Sequence, residues 1–380
     1  MAKILYLVTE DWFFCRHFLP MAHAAKSAGL EVTVAARRST AAAQIIADGF
    51  QFIEFRNDRG SLGPFEAVRS VARLASIVRA QKPDIVHCIS LRMALLGGIA
   101  ARIAGASTVI LALTGLGGLW VRQEPAVRLA RLITRLAIGY GLRWPGTHYL
   151  FENADDPGAF WMRSTDPDVS IVDGAGVDPL AFPCSGQPPA PPIKVAVIAR
   201  MLEYKGIPEA VKATLLARSS GVPVELHLFG VPDPTNRLSV THEALTGWTG
   251  SSGIHWHGHT TDSAAAYRDH HVAMLLSWGG EGLPRTLVEA AATGRPIITT
   301  DVAGCREVVR NGIEGFLVRP CDIESVALAL SRLADDEDMR ARMGMAARAR
   351  FDERFTEEAV RGTMAQLYRR LVPSSDLSRN

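Results

Sequence analysis

Short apolar runs alternate with stretches of helical periodicity along nearly the whole chain. Lys3 to Val8, Glu31 to Ala36, Phe50 to Phe55, Asp84 to Ile89, Thr108 to Leu113 and His148 to Glu152 are runs that read as strands. Between them Leu19 to Ser27, Thr40 to Ala47, Pro64 to Gln81, Leu91 to Ala104 and Pro125 to Leu142 carry helical patterns, with Thr9 to Phe18 left as a loop. Strand alternating with helix predicts a parallel sheet covered on both faces, whose ligands sit at the carboxyl ends of the strands. Attention therefore falls on the loops that begin at Thr9, Ser90, Thr114 and Asn153.

Pro183 to Pro192 is too rich in proline for either regular element and reads as an extended linker. The same grammar then restarts. Ile193 to Ala199, Val224 to Phe229, Ile254 to Trp256, Val272 to Ser277, Ile297 to Thr300 and Phe316 to Val318 are expected strands, Ile207 to Arg218 a helix, and Asp322 to Leu371 helical throughout. The expected division is a first α/β domain over 1–182, a linker over 183–192, a second α/β domain over 193–355, and a final helix with its tail over 356–380 that packs back on the first domain. Two such domains are expected to face each other across a ligand cleft.

Length and charge narrow the classes. At 380 residues the chain is long enough for two domains that bury their own cores. A net charge of +2 argues against bulk nucleic-acid binding, although Arg59 to Arg143 concentrates twelve Lys and Arg against three acids. Five scattered cysteines show no zinc or dithiol spacing and fit a reducing cytosol. The start Met1-Ala2-Lys3 is followed by too few apolar residues for a signal-peptide core. Ala94 to Gly115 is broken by Arg102 and Gly105, so no membrane span is expected.

The richest chemistry follows the expected strand Val272 to Ser277. Gly279, Gly280 and Gly282 surround Glu281, Leu283 and Pro284 lead into a helix whose first turn suits proline, and Glu289 lies further along it. Amides at a helix N-terminus favour a phosphate, whereas a carboxylate accepts hydrogen bonds from a vicinal diol. Both together suggest a nucleotide with its ribose, or a sugar. Arg200 and Lys205, on the loop after the first strand of the second domain, carry the charge to neutralise a diphosphate, with Gly206 opening the next helix. The competing readings are solvated acids at a helix start and a pair of surface cations.

Ala199 to Gly206 (Ala-Arg-Met-Leu-Glu-Tyr-Lys-Gly) and the Glu281-x7-Glu289 spacing resemble the two signatures of family 4 retaining glycosyltransferases of the GT-B fold. Glu289 to Ile298 and Asp301 to Val309 follow the same pattern. The resemblance implies two Rossmann-like parallel-sheet domains, Arg200 and Lys205 on the donor diphosphate, Glu289 on the ribose hydroxyls and Glu281 on the transferred sugar. Gly280, Gly282, Leu283 and Pro284 would line the donor site. In the first domain Phe13 to His17, Thr114-Gly115-Leu116-Gly117, Phe151 to Asp156 and Gly174 to Asp178 resemble a bacterial subgroup that adds sugars, often N-acetylhexosamines, to lipid-pyrophosphate-linked glycans. Phe18 stands where that subgroup usually has an arginine, and the loop at Thr114 lacks a histidine many members carry.

The resemblance implies transfer of a hexosyl or N-acetylhexosaminyl unit from a UDP-sugar to a lipid-linked glycan, without cofactor or metal, at the cytoplasmic face of a membrane. His17, Thr114, Gly115 and Gly117 are candidates for the acceptor or sugar cleft, His17 being equally readable as a helix-start histidine satisfied by backbone. Arg128, Arg131 and Arg135 recur three and four apart among leucines and isoleucines, a face for an anionic membrane or an ordinary surface helix. His87 reads as packed within its strand. His255, His257 and His259 alternate along a strand, and with His270 and His271 they are joined by no acidic cluster in the sequence, so no metal is expected. A GT-B nucleotide-sugar epimerase and a silent nucleotide-binding partner subunit are the alternatives. A dinucleotide oxidoreductase is disfavoured because neither Gly115 to Trp120 nor Gly174 to Pro179 satisfies G-x-G-x-x-G.

Overall fold

The computed structural model describes residues 1–55, 63–250 and 253–372; Arg59 of the basic stretch lies outside them. The chain divides into two compact units, 1–176 with 357–380, and 177–356.

The first unit runs β1 (Lys3–Glu10), α1 (Asp11–His17), α2 (Leu19–Ser27), β2 (Glu31–Arg37), α3 (Ala42–Ala47), β3 (Gln51–Glu54), α4 (Pro64–Gln81), β4 (Ile85–Ile89), α5 (Leu91–Ala104), β5 (Thr108–Leu113), α6 (Gly118–Val121), α7 (Pro125–Leu136), β6 (Thr147–Phe151) and β7 (Val169–Ile171). Its seven strands form one parallel sheet in the order β3-β2-β1-β4-β5-β6-β7. Side chains of β1 alternate between two cores, Ile4, Tyr6 and Val8 in one and Leu5 and Leu7 in the other. This is why the strand is apolar throughout.

The second unit runs β8 (Ile193–Ile198), α8 (Ile207–Ser219), β9 (Val224–Phe229), α9 (His242–Thr249), β10 (Ile254–Trp256), α10 (Ser263–Arg268), β11 (Val272–Leu275), α11 (Arg285–Ala292), β12 (Ile297–Thr300), α12 (Cys305–Val308), β13 (Gly315–Val318), α13 (Ile323–Asp335) and α14 (Glu337–Arg354). Its six strands are parallel in the order β10-β9-β8-β11-β12-β13. The last helix, α15 (Glu357–Leu371), returns to the first unit and packs on α2. There Tyr368 Oη lies 2.8 Å from Tyr6 Oη and 3.1 Å from His87 Nδ1, all three residues buried.

Several expectations are corrected. Thr9 to Phe18 is not a loop: β1 extends to Glu10 and α1 follows, because the buried Asp11 carboxylate accepts from the Ser39 amide (2.5 Å) and hydroxyl (2.6 Å) beyond β2. The helix expected over Pro125 to Leu142 leaves α geometry at Ala137 and closes with a π turn to Gly141, where a side chain on Gly139 would meet the Phe160 carbonyl at 2.7 Å. Short β7, α9, α10 and α12 escaped a reading that needs several periods to see an element. Pro183 to Pro192 is not a free spacer. The fully buried Arg295 donates to the carbonyls of Ser185 (3.1 Å) and Gly186 (2.9 Å), and His271 Nε2 meets the Pro188 carbonyl at 3.0 Å. Residues 177–182 belong with the second unit, the Val177 amide donating to the Phe355 carbonyl at 3.0 Å.

Candidate functional site

In the second sheet β8 lies between β9 and β11, so the chain leaves it toward one side first and returns on the other. Such a switch point opens a crevice at the strands' carboxyl ends. The loops that carry Arg200 to Lys205 and Ser277 to Pro284 leave these neighbouring strands.

Two backbone contacts force the loops together. Gly206 has φ 75°, and a Cβ there would lie 2.1 Å from the Leu276 carbonyl oxygen, so only glycine lets the Lys205 turn approach β11. The Trp278 amide then donates to the Tyr204 carbonyl at 2.9 Å, and Ser277 Oγ lies 3.3 Å from the same carbonyl. On the far side Gly304, at φ 62°, would place a Cβ 2.1 Å from the Gly282 carbonyl oxygen. The Glu281 loop is clamped between these glycines.

The result is a partly buried ion pair. Lys205 Nζ donates to both Glu281 oxygens at 2.6 and 2.7 Å, and Ser277 Oγ donates to Oε1 at 2.7 Å. Only 18% of the lysine side chain and 10% of the glutamate are exposed. Arg200 is more open, 58% exposed, with Nη1 3.1 Å from Asp233 Oδ2 and Nη2 donating to Tyr204 Oη at 3.4 Å. Asp233 is held below the usual carboxylate range, first by the Thr235 hydroxyl and then, among weaker causes, by Arg200. Behind Glu281, burial and the carboxylate charge push the Cys305 thiol up to about 12, which leaves it protonated and inert.

Pro284 is not in the first turn of α11 but caps it from outside, in extended geometry with no side-chain cap bond. Leu283 is buried beside it. Glu289 is buried on the helix, and Arg285 Nε, one turn earlier, donates to its Oε1 at 2.9 Å. The buried indole N–H of Trp278 has no acceptor among the described residues.

The structure thus gathers Arg200, Lys205, Gly280, Glu281, Gly282, Leu283, Pro284 and Glu289 on the loops and helix at one end of one sheet. Tyr204, Asp233, Ser277, Arg285 and Gly304 complete the setting. The Arg285-to-Glu289 spacing of four was legible as a helical ion pair. Asp233 reaches the site from a distant loop and carries no local signal, whereas Gly304 lies within the Asp301 to Val309 stretch that follows the family pattern.

In the first unit the candidates lie on separate elements. His17 ends α1 with its ring 4.6 Å from that of Phe13. Thr114, Gly115 (φ 116°) and Gly117 (φ 57°) follow β5. On α7 the arrangement is the reverse of a simple basic face. Arg131 Nε donates to the Leu119 carbonyl (3.0 Å), its Nη2 to the Arg122 carbonyl, and Arg135 Nε to the Ala159 carbonyl (2.6 Å). Leu129, Leu132, Ile133 and Leu136 are instead exposed, beside a depression of about 400 Å³ lined by Arg128, Leu129, Arg131, Leu132 and Arg135. Among the described residues no helix is long and apolar enough to cross a membrane.

Comparison with known proteins gives this geometry a family. Residues 3–141 match the family model described as glycosyl transferase 4-like, and residues 192–336 the one described as glycosyl transferases group 1. An N,N'-diacetylbacillosaminyl-diphospho-undecaprenol alpha-1,3-N-acetylgalactosaminyltransferase of Campylobacter jejuni is 24% identical over 342 residues, covering 85% of this chain and 87% of its own. A capsular polysaccharide biosynthesis glycosyltransferase, CapM of Staphylococcus aureus, is 25% identical over 48% of this chain, and the match spans about half (47%) of that relative's length. Among solved structures, Anabaena HepE in complex with UDP and glucose has a TM-score of 0.74 at 17% identity, over 97% of this chain and 99% of that one. Sucrose-phosphate synthase from Thermosynechococcus elongatus has a TM-score of 0.77 at 17% identity, over 98% and 99%. With one family model on each unit and GT-B enzymes as structural neighbours, the chain belongs to the group 1 and 4-like glycosyltransferases of the GT-B fold.

Proposed function

We propose that the protein transfers a hexosyl or N-acetylhexosaminyl unit from a UDP-sugar, with retention, to a lipid-pyrophosphate-linked glycan in surface polysaccharide synthesis. The observation that carries the donor half is the Lys205–Glu281 pair, a cation and a carboxylate held with little solvent exposure at the switch point. A donor diphosphate competes for the Lys205 ammonium and recruits the exposed Arg200. Glu281, released, accepts hydrogen bonds from the sugar hydroxyls, and Glu289 takes the ribose diol. The leaving diphosphate then develops its charge against Arg200 and Lys205, which is where fixed cations lower a barrier most. With that charge supplied by side chains, the reaction calls for no metal cofactor. No protein nucleophile is assigned: the leaving phosphate oxygen guides the acceptor proton on the same face, and the enzyme contributes positioning and charge.

The acceptor half rests on the Campylobacter relative, whose name specifies a diphospho-undecaprenol substrate. His17, Thr114, Gly115 and Gly117 are the proposed first-unit contacts. A panel of UDP-, GDP- and ADP-sugars with a lipid-pyrophosphate acceptor tests the whole reading through nucleotide release and product stereochemistry. UDP-sugar consumption with an α-linked product from an α-linked donor is expected. Turnover without acceptor would point to an epimerase or hydrolase and overturn the assignment.

We further propose that α7 docks peripherally on an anionic bilayer at the cytoplasmic face. The exposed Leu129, Leu132, Ile133 and Leu136 support it as the inserting side, with Arg128 beside them for the headgroups. Arg131 and Arg135, which donate to protein carbonyls, serve chiefly to hold the helix. In sedimentation with anionic vesicles, Leu132→Glu with Ile133→Glu is expected to lose at least about tenfold in binding, and Arg128→Glu to flatten its salt dependence. Equal binding by the wild type and the double variant would remove α7 from the membrane.

A further inference from the structure

Away from the donor loops, the exposed edge of the second sheet carries a cluster of imidazoles. Glu225 and His227 are two apart on β9 and so project from one face, and His255 on the edge strand β10 is the register partner of His227. Glu225 Oε2 lies 3.5 Å from His227 Nε2 and 4.0 Å from His255 Nε2, and the three ligand atoms all lie within 4.8 Å of one another. The His227 and His255 rings stack at 4.6 Å.

His227 is oriented from behind. Its Nδ1 lies 2.9 Å from His257 Nε2, which fixes the ring and leaves Nε2 directed at the carboxylate. That Nε2 is buried and makes no hydrogen bond among the described residues. When Nδ1 donates to His257, Nε2 presents a lone pair to a carboxylate oxygen 3.5 Å away, two acceptors that a shared cation reconciles. A hydrogen bond to the second ring nitrogen is also how metal-ligating histidines are commonly held.

We propose that Glu225, His227 and His255 form a binding site for one divalent transition-metal ion of the zinc class. Two imidazoles and a carboxylate suit zinc, cobalt or nickel rather than magnesium or calcium, which prefer oxygen alone. Tetrahedral ligands about 2.0–2.2 Å from a metal stand roughly 3.3–3.5 Å apart, so closure requires His255, which is 44% exposed, to move inward by about 0.5–1.5 Å. Its exposure leaves water for the fourth position. Lys194, aligned with Glu225 on the neighbouring β8, opposes the ion, and the Glu225 charge offsets it. The ion would clip the three-residue edge strand β10 to β9. Along the sequence Glu225 and His227 lie some thirty residues before the histidines around β10, and only the pairing of β9 with β10 brings them together.

The test is titration of the chelator-stripped full-length protein with Zn2+ against a chromophoric competitor, with Mg2+ as the hard-cation control. One equivalent is expected to bind. His227→Gln and His255→Gln should each weaken it at least about tenfold, whereas His259→Gln, outside the cluster, should not. Co2+ in the same site should give the visible absorption of a tetrahedral ion. Because His227→Gln alters a packed position, the exposed His255→Gln decides the matter if the first variant loses its circular dichroism. No saturable equivalent, unchanged affinity in His255→Gln, or equal loss in His259→Gln would overturn the site.

Discussion

Breaking the Lys205–Glu281 pair separates its part in folding from its part in chemistry. Two unit charges under 3 Å apart attract by roughly 6 kcal/mol at an effective dielectric of about 20, and desolvation of both groups takes back much of that. Removing one partner of a buried pair costs about 3–5 kcal/mol, because the other charge is left without compensation. Here both side chains keep some solvent contact and Ser277 still serves Glu281 at 2.7 Å, so Lys205→Met should destabilise the second unit by about 2–3 kcal/mol. Adding Glu281→Gln removes the stranded charge, and the double variant should recover about 1.5–2 kcal/mol of that loss, so that the two single costs sum to well above the double. Urea unfolding followed by tryptophan fluorescence reads this out, with the shift confined to one of two transitions if the units unfold separately. Turnover should behave differently. Lys205→Met, Glu281→Gln and the double variant should each lose about a hundredfold or more, since the double variant repacks the loop but supplies neither charge to the donor. Stabilities that add to within about 0.5 kcal/mol would show that the pair is not coupled. A double variant that regains turnover would refute the donor-site assignment outright.

Two further outcomes follow from the geometry. Gly304→Ala puts a methyl 2.1 Å from the Gly282 carbonyl oxygen at φ 62°, and should cost about 2–4 kcal/mol while raising the donor KM through displacement of the Glu281 loop; unaltered kinetics would show that the clamp does not set the site. His87 is fully buried and depressed by burial, then by His148, to about 3, so it is neutral in the folded chain and takes a proton on unfolding below about pH 6.5. Its contribution is fully present above that pH and is lost as pH falls toward 3, about 1.5–2 kcal/mol between pH 6.5 and 5. His87→Asn should flatten this part of the profile, measured as the denaturation midpoint against pH, and a profile unchanged by the substitution would contradict it.

The alternation of apolar strands and amphipathic helices was enough to determine two parallel-sheet units, because a strand buried on both faces must be apolar at every position and a covering helix at only some. Arg200, Lys205, Glu281 and Glu289 were legible as chemistry for the same local reason: charged residues among glycines at strand ends have few structural uses. Only the tertiary structure decided who meets whom. Strand order is a non-local choice, and it alone puts β8 beside β11 so that Lys205 reaches Glu281 across 76 residues of chain. The same non-locality aims Arg131 and Arg135 at protein carbonyls while leaving leucines outside, pins the proline-rich segment with Arg295, and sets Glu225 and His227 against His255. Periodicity records which face of an element is apolar, whereas the partner on that face is fixed by packing between segments distant in sequence.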